Sequence, residues 1–142
     1  MRYLGRLALL ALGSLVLIAK AHAIQPIIVS YAVQPVSHFN QALKKAQAEH
    51  QAWSDNPAQI SSEYAGKKFT LVRTQPNKNG MLTYQLSEMS AQHPQMLLIM
   101  SLKKNAKLWQ VDSAQLAWKC REGQHFGTER CNIARHEAGS AP

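Results

Sequence analysis

The side chains of this chain follow a helical period first and a strand period afterwards. Between Val36 and Asp55, side chains recur at steps of four and three residues, which places them on one face of a helix. The members of this face are Phe39, Leu43, Ala46, His50 and Trp53. We therefore predict one amphipathic helix of about 17 to 19 residues, with Ser37 as its N-cap. It should end before Asn56-Pro57, because proline excludes helical geometry for the residue before it.

After Gly66 the pattern changes to β-branched, aromatic and alternating positions, which are typical of strands. Strand-like segments cover 68–74, 81–89, 96–102 and 108–120, the last as one or two strands. Turn residues separate them at 77–80, 93–94 and 103–105. This order predicts an α+β fold, in which one long amphipathic helix packs on a four- to five-stranded antiparallel sheet with a C-terminal disulfide loop.

The first 23 residues have the layout of a secretory signal peptide. A basic start with Arg2 and Arg6 precedes an apolar run over 7–19, and 21–23 is a small-residue A-x-A site for cleavage. The run has 13 residues, fewer than the roughly 20 that a helix needs to span a bilayer. We predict a bacterial periplasmic or secreted protein, with an inner-membrane anchor through 7–19 as the alternative.

The division of the chain follows from these patterns. We predict a signal peptide over 1–23, an irregular N-terminal segment over 24–36, a single α+β domain over 37–135 and a loose tail over 136–142. Cleavage would leave 119 residues and lower the formal charge from +8 to +5, because three basic residues leave with the signal. That length allows one domain, which excludes barrel enzymes and full dinucleotide-binding folds.

Cys120 and Cys131 are the 2 cysteines of the chain. An exported chain meets an oxidising compartment, which favours a disulfide between them. The rival interpretation is a zinc site, since His125 and His136 complete a C-x4-H-x5-C-x4-H spacing with ligand types that suit zinc. This spacing matches no familiar zinc finger, so we predict the disulfide, without a metal or another cofactor.

The chain contains no standard catalytic signature, such as G-x-S-x-G, H-E-x-x-H or C-x-x-C. Serine stands beside an acid in two places that we interpret as caps and turns, namely Ser54-Asp55 and Asp112-Ser113. We therefore predict a non-enzymatic protein without catalytic residues. An enzyme would need a cleft in which His38, His93 or His125 meets a carboxylate.

The basic side chains are scattered in pairs over helix, strand and turn. They are Lys44-Lys45, Lys67-Lys68 and Lys103-Lys104, and none is interleaved with aromatic residues on which bases could stack. We expect no specific nucleic-acid recognition. A protein or cell-envelope partner is predicted, with an anionic glycan, a lipid or extracellular DNA as further candidates.

Three short motifs follow one another between residues 65 and 131. They are A-G-K-K-F-T-L-V from Ala65, N-G-M-L-T from Asn79, and W-K-C from Trp118 with a short loop to Cys131. With the helix-then-sheet order, they resemble the globular part of type IV pilins. The chain lacks the prepilin processing motif of that family, because Gly5 is followed by arginine rather than phenylalanine.

The resemblance implies that the two cysteines border an exposed recognition loop and that 54–66 connects the helix to the sheet. The candidate recognition residues are Arg121, Glu122, Gln124, His125, Phe126, Thr128, Glu129 and Arg130. It also implies a domain that acts by surface contact, as a pilus-related component or adhesion module. Periodicity equally allows a monomeric periplasmic binding or inhibitor module of cystatin-like or NTF2-like fold, which a deep apolar pocket between helix and sheet would favour.

Overall fold

The computed structural model describes residues 26–91 and 93–131. The signal segment, the possible anchor over 7–19 and the predicted tail lie outside these residues. The described elements are β1 (Ala32–Gln34), α1 (Ser37–Ala48), a 3₁₀ turn (Ala52–Asp55), α2 (Pro57–Ala65), β2 (Phe69–Asn77), β3 (Gly80–Ser87), β4 (Gln95–Asn105) and β5 (Leu108–Lys119). The strands form one antiparallel sheet in the order β1-β5-β4-β3-β2.

The single long helix that the periodicity predicts is wrong, because α1 ends at Ala48. His50 adopts the left-handed conformation with a φ of 55°. The N–H of Gln51 donates to the carbonyl of Ala46 at 2.9 Å, and the N–H of His50 donates to that of Gln47 at 3.2 Å. These are the two bonds of a Schellman ending, which glycine usually makes. Because His50 stands where glycine is usual, the sequence does not indicate that the helix ends there.

A second helix, α2, occupies most of the segment 54–66 that was expected to be a connecting loop. Asn56 is its N-cap, since its Oδ1 accepts hydrogen bonds from the N–H groups of Ala58 at 2.9 Å and Gln59 at 3.3 Å. Pro57 suits the first helical position, where the missing N–H needs no partner. Asn56-Pro57 therefore ends one helix and begins another. The sequence-based prediction used it only as a helix end.

The four strands predicted after Gly66 are present, and the other differences concern the ends of elements. Val36, rather than Ser37, is the N-cap of α1, and no side chain caps it. Strand β1 lies within 24–36, the segment predicted to be irregular. Strand β4 extends to Asn105, three residues beyond the predicted end, so the hairpin turns at 106–107 rather than at 103–105. Ala106 is in the left-handed region there, at a φ of 54°.

The main core lies between the helices and one face of the sheet. Leu98, Met100 and Leu102 of β4 pack there against Leu43 of α1 and Ile60 of α2, and each of these side chains is at most 3% exposed. Burial of these side chains, at about 1.5–3 kcal/mol each, is the main term that holds the helices on the sheet.

The opposite face of the sheet carries a second apolar layer and is called the open face, since no helix of the described residues covers it. Successive strand residues point to opposite faces, so Leu97 belongs to this layer while its neighbour Leu98 belongs to the first. Leu97 packs there with Ala117 of β5 and with Phe126 from the loop after β5. An antiparallel sheet commonly exposes polar side chains on its uncovered face, and this one does not follow that rule.

Two amide side chains tie α1 to β5. Asn40 donates through Nδ2 to the carbonyl of Val111 at 2.8 Å and accepts from the N–H of the same residue at 3.0 Å. Gln47 donates to the carbonyl of Trp109 at 2.9 Å. Strand β1 pairs with β5 only at 114–116, so the backbone groups of β5 before residue 114 have no partner strand on that side. The two amides provide hydrogen-bond partners there instead.

Candidate binding groove

The loop after β5 is closed by the predicted disulfide between Cys120 and Cys131, whose Cα atoms are 5.3 Å apart. This bond is confirmed, and it removes the two thiolates that a zinc site would need. His136, the last ligand of that interpretation, lies outside the described residues. Within 26–91 and 93–131, no group of three or more side chains has the arrangement of a metal site.

Part of the candidate recognition loop is built into the open face. Phe126 is 6% exposed and packs with Leu97 and Ala117. Its backbone N–H donates to the carbonyl of Ile27 and its carbonyl accepts from the N–H of Val29, both at 2.9 Å. Phe126 is therefore a core residue that joins the N-terminal segment to the loop.

The other candidate residues of the loop are either anchored or exposed. The backbone N–H of Thr128 donates to the Ser30 hydroxyl at 2.9 Å, and the two hydroxyl oxygens are 3.0 Å apart. The indole N–H of Trp118 donates to the carbonyl of Glu129 at 2.7 Å. His125 is half-buried. The exposed side chains, which remain free to meet a partner, are Arg121, Glu122, Gln124, Glu129 and Arg130.

A groove of about 530 Å³ runs over the open face, between the N-terminal segment, the disulfide loop and strand β2. We call it the open-face groove. Most of its lining is apolar and includes Ile28, Val72, Tyr84, Leu86, Leu97 and Phe126. A concave site of several hundred Å³ with mainly apolar walls is typical of small-molecule binding.

Two cations and no acidic side chain line this groove. The guanidinium carbon of Arg73 lies 5.8 Å from the ring centre of Tyr84, and Nζ of Lys119 lies 5.4 Å from that of Phe126. The aromatic rings thus hold both cations at the groove by cation–π attraction. Both side chains are half-buried, and neither forms an ion pair with any described residue. The lining of the groove therefore carries two positive charges and no negative one.

A β-bulge in β2 places Arg73 on the open face. Leu71 pairs with Gln85, whereas Arg73 pairs with Tyr84, so Val72 is the extra residue. One inserted residue reverses the alternation, so Leu71 points to the helices while Arg73 points to the groove. The run K-F-T-L-V-R-T contains no glycine or proline that would have revealed the bulge, which is why sequence reasoning missed this cation.

The sequence contains two serine–acid pairs, Ser54-Asp55 and Asp112-Ser113, and one residue of each pair has a partner nearby in the structure. The Ser54 hydroxyl is buried and donates to the carbonyl of Gln51 at 2.7 Å. Asp112 forms an ion pair with Lys103 at 2.6 Å. These contacts account for Ser54 and Asp112 as parts of local structure.

A larger depression of about 800 Å³ lies between α2 and β2, where the cystatin-like or NTF2-like interpretation expects an apolar pocket. Trp53 and Phe69 line it, but so do the exposed side chains of Gln59, Glu63 and Lys67. Its lining therefore carries charges of both signs beside its apolar side chains. The open-face groove is the more enclosed of the two sites, and the charged side chains that line it are all positive.

None of the described helices is both long and apolar enough to cross a membrane. The resemblance to type IV pilins stays a prediction. No family model, curated protein or solved structure matches the chain, so its function has to be inferred from its own geometry.

Proposed function

We propose that this protein is an exported, non-enzymatic binding module that takes its ligand in the open-face groove. The observation that supports the proposal is the apolar layer on the uncovered face of the sheet. A sheet that needs burial on one side only for stability has polar side chains on the other. Here Leu97 and Phe126 are buried at the base of a groove whose exposed apolar side chains are Ile27 and Val72. Beside them are two cations that form no ion pair with any described residue. Apolar surface left open in this way marks an interaction site.

Export is supported by the disulfide and by the layout of the first 23 residues. Disulfides persist in oxidising compartments, which are not cytoplasmic. We propose a location in the periplasm or outside the cell, with an inner-membrane anchor through 7–19 as the alternative.

A pilus-related or adhesive role stays a prediction, supported by the three short motifs. It would act through the outer surface of the disulfide loop, where Arg121, Glu122 and Arg130 are exposed. That surface and the open-face groove use different side chains, so variants can separate the two roles.

Binding of a neutral apolar fluorophore, N-phenyl-1-naphthylamine, tests the proposal. Titration into the purified, unreduced protein should give saturable, blue-shifted emission. The variant Val72→Gln should weaken binding about threefold or more, because part of an apolar wall of the groove is lost.

The matched control is Leu108→Gln at the β4–β5 turn. Leu108 is 50% exposed and Val72 is 53% exposed, but only Val72 lines the groove. Leu108→Gln should bind like the parent protein. Emission that does not saturate, or equal affinities for the two variants, would reject the groove as the binding site.

A further inference from the structure

The paired strands under the open-face groove offer a peptide ligand no free backbone edge with which to hydrogen-bond. The floor of the groove is formed by side chains of β3 and β4, such as Leu86 and Leu97, which pair with each other across the two strands. The N–H and C=O groups of these strands are used in the sheet. A peptide lying on this floor would leave its own backbone groups without partners, at a cost of about 1–3 kcal/mol for each buried group. An alkyl chain has no such groups.

The two cations lie at opposite sides of the groove. Arg73 is on β2 and Lys119 is at the end of β5, with β3 and β4 between them. Across the sheet Arg73 is level with Gln115 of β5, and Lys119 lies four residues further along that strand. Three strand spacings across and four residues along make the Cα separation roughly 19 Å. An extended alkyl chain that starts at Arg73 runs over the apolar floor towards Lys119.

Arginine is the better partner for a carboxylate, because its planar guanidinium can donate two parallel hydrogen bonds. The Arg73 side chain is half-buried and without an ion-pair partner among the described residues. Lys119, over the Phe126 ring, is a point charge that adds to the positive potential without this geometry.

We infer that the ligand is a free, single-chain amphiphile with an anionic carboxylate, such as a fatty acid. Its carboxylate pairs with Arg73, and its alkyl chain lies on the half-buried side chains of Leu86 and Ile28. This assignment of the ligand rests on the proposed function and names the chemistry of its site.

The test uses three competitors with the same alkyl chain and different head groups, namely dodecanoate, dodecanol and dodecyltrimethylammonium. Each displaces N-phenyl-1-naphthylamine from the protein. Dodecanoate should bind about tenfold more tightly than dodecanol, and the cationic probe should bind most weakly. The advantage of dodecanoate should shrink between about 20 mM and 500 mM salt, because the screening length falls.

Three variants locate the head group. Arg73→Gln should remove most of the preference for dodecanoate over dodecanol, and Lys119→Gln, further from the head group, should reduce it by less than about twofold. Lys107→Gln, at an exposed turn away from the groove, should leave it unchanged. Thermal unfolding of each variant shows that it is folded. A larger loss at Lys119 than at Arg73 would overturn the orientation of the chain.

The other outcomes separate this inference from the proposed function. Equal affinity for all three head groups would overturn the anionic class, while the groove would remain a binding site. Displacement by an apolar peptide with a free carboxyl terminus, or sedimentation of the protein with anionic phospholipid vesicles, would also overturn it. Failure of the neutral fluorophore itself to bind would reject the proposed function.

Discussion

At the scale of single residues, Gln85 is a fully buried amide whose oxygen and nitrogen bond to no described group. It lies on the helix-covered face of β3, opposite Leu71 on one side and Leu98 on the other. Two residues before it, Thr83 is equally buried, but its hydroxyl lies 2.7 Å from that of Ser61. Of these two buried polar side chains on one face of β3, Thr83 has a hydrogen-bond partner and Gln85 has none among the described residues.

Replacing Gln85 by methionine should therefore stabilise the protein. The variant Gln85→Met keeps a similar volume and removes an unsatisfied amide, which should raise the free energy of unfolding by about 1–2 kcal/mol. Urea denaturation measures the change. Thr83→Val is the contrasting variant, and it should lower stability because it leaves the Ser61 hydroxyl without a partner. A loss of stability in Gln85→Met would show that the amide is bonded in solution.

Tyr64 makes the stability of the protein sensitive to alkaline pH. Burial raises the pKa of its phenol above the usual 10.0, because the phenolate is poorly solvated there. Below the pKa of Tyr64 in the unfolded chain, this residue does not make stability depend on pH. The stability that it contributes is lost as the pH rises through its raised pKa in the folded protein. The free energy of unfolding should therefore fall above about pH 10.

Denaturation curves for Tyr64→Phe test this dependence. The variant loses the hydrogen bond from the Tyr64 hydroxyl to the carbonyl of Pro35, so it should be slightly less stable at neutral pH. Its alkaline decrease should be smaller than that of the parent protein. Tyr31→Phe, at a tyrosine that is 51% exposed, is the control and should keep the decrease. The same alkaline slope in Tyr64→Phe and the parent would contradict the prediction.

At the scale of elements, the helical region shows where local pattern is ambiguous. Phe39, Leu43, Ala46 and Trp53 all contact the core or lie in it, as their spacing predicts. The spacing is nevertheless produced by two separate elements, since Trp53 follows a break at His50. Phe39 and Trp53 meet with ring centres 6.1 Å apart across that break. A helical period can therefore report a shared buried face without a continuous helix.

The break at His50 predicts a stabilising substitution. A residue with a Cβ loses about 1 kcal/mol in the left-handed conformation, and glycine does not. His50 is exposed, so His50→Gly removes no buried contact. The free energy of unfolding should rise by about 0.5–1 kcal/mol in chemical denaturation. His38→Gly, inside α1, is the opposite control and should destabilise the helix by a similar amount. A lower stability for His50→Gly would mean that the Schellman ending does not persist in solution.

The strands were easier to predict than the helices. In β3, Thr83 and Gln85 alternate with Tyr84 and Leu86, and the two pairs do lie on opposite faces. Alternation and turn residues are local signals, because each hairpin is made by neighbouring segments. The bulge at Val72 was beyond prediction, since a register shift depends on the partner strand.

At the scale of the whole molecule, the disulfide holds the open face together. It closes the loop that carries Phe126, and that loop is hydrogen-bonded to Ile27 and Val29 far away in the chain. The groove is formed between these two segments and the sheet. Loss of the bond should therefore affect both stability and ligand binding.

The double variant Cys120→Ala/Cys131→Ala tests this dependence. Without the cross-link the unfolded chain gains entropy, so the free energy of unfolding should fall by about 3 kcal/mol. Affinity for N-phenyl-1-naphthylamine should fall as well, because Phe126 is no longer held against Leu97. The control is the parent protein with its disulfide reduced, which should behave in the same way. Unchanged affinity in both would show that the loop does not shape the groove.

The sequence by itself determined the features that depend on neighbouring residues: the four strands after Gly66, their turns and the pairing of two cysteines in one short loop. Tertiary structure decided the rest. The end of α1 depends on a backbone conformation at His50, and the pairing of β1 with β5 joins distant parts of the chain. The open-face groove arises in the same way, where Ser30 and Thr128, 98 residues apart, hold the two segments beside it together. Such contacts leave no periodic signal, because neither segment specifies its partner without the fold that brings them together.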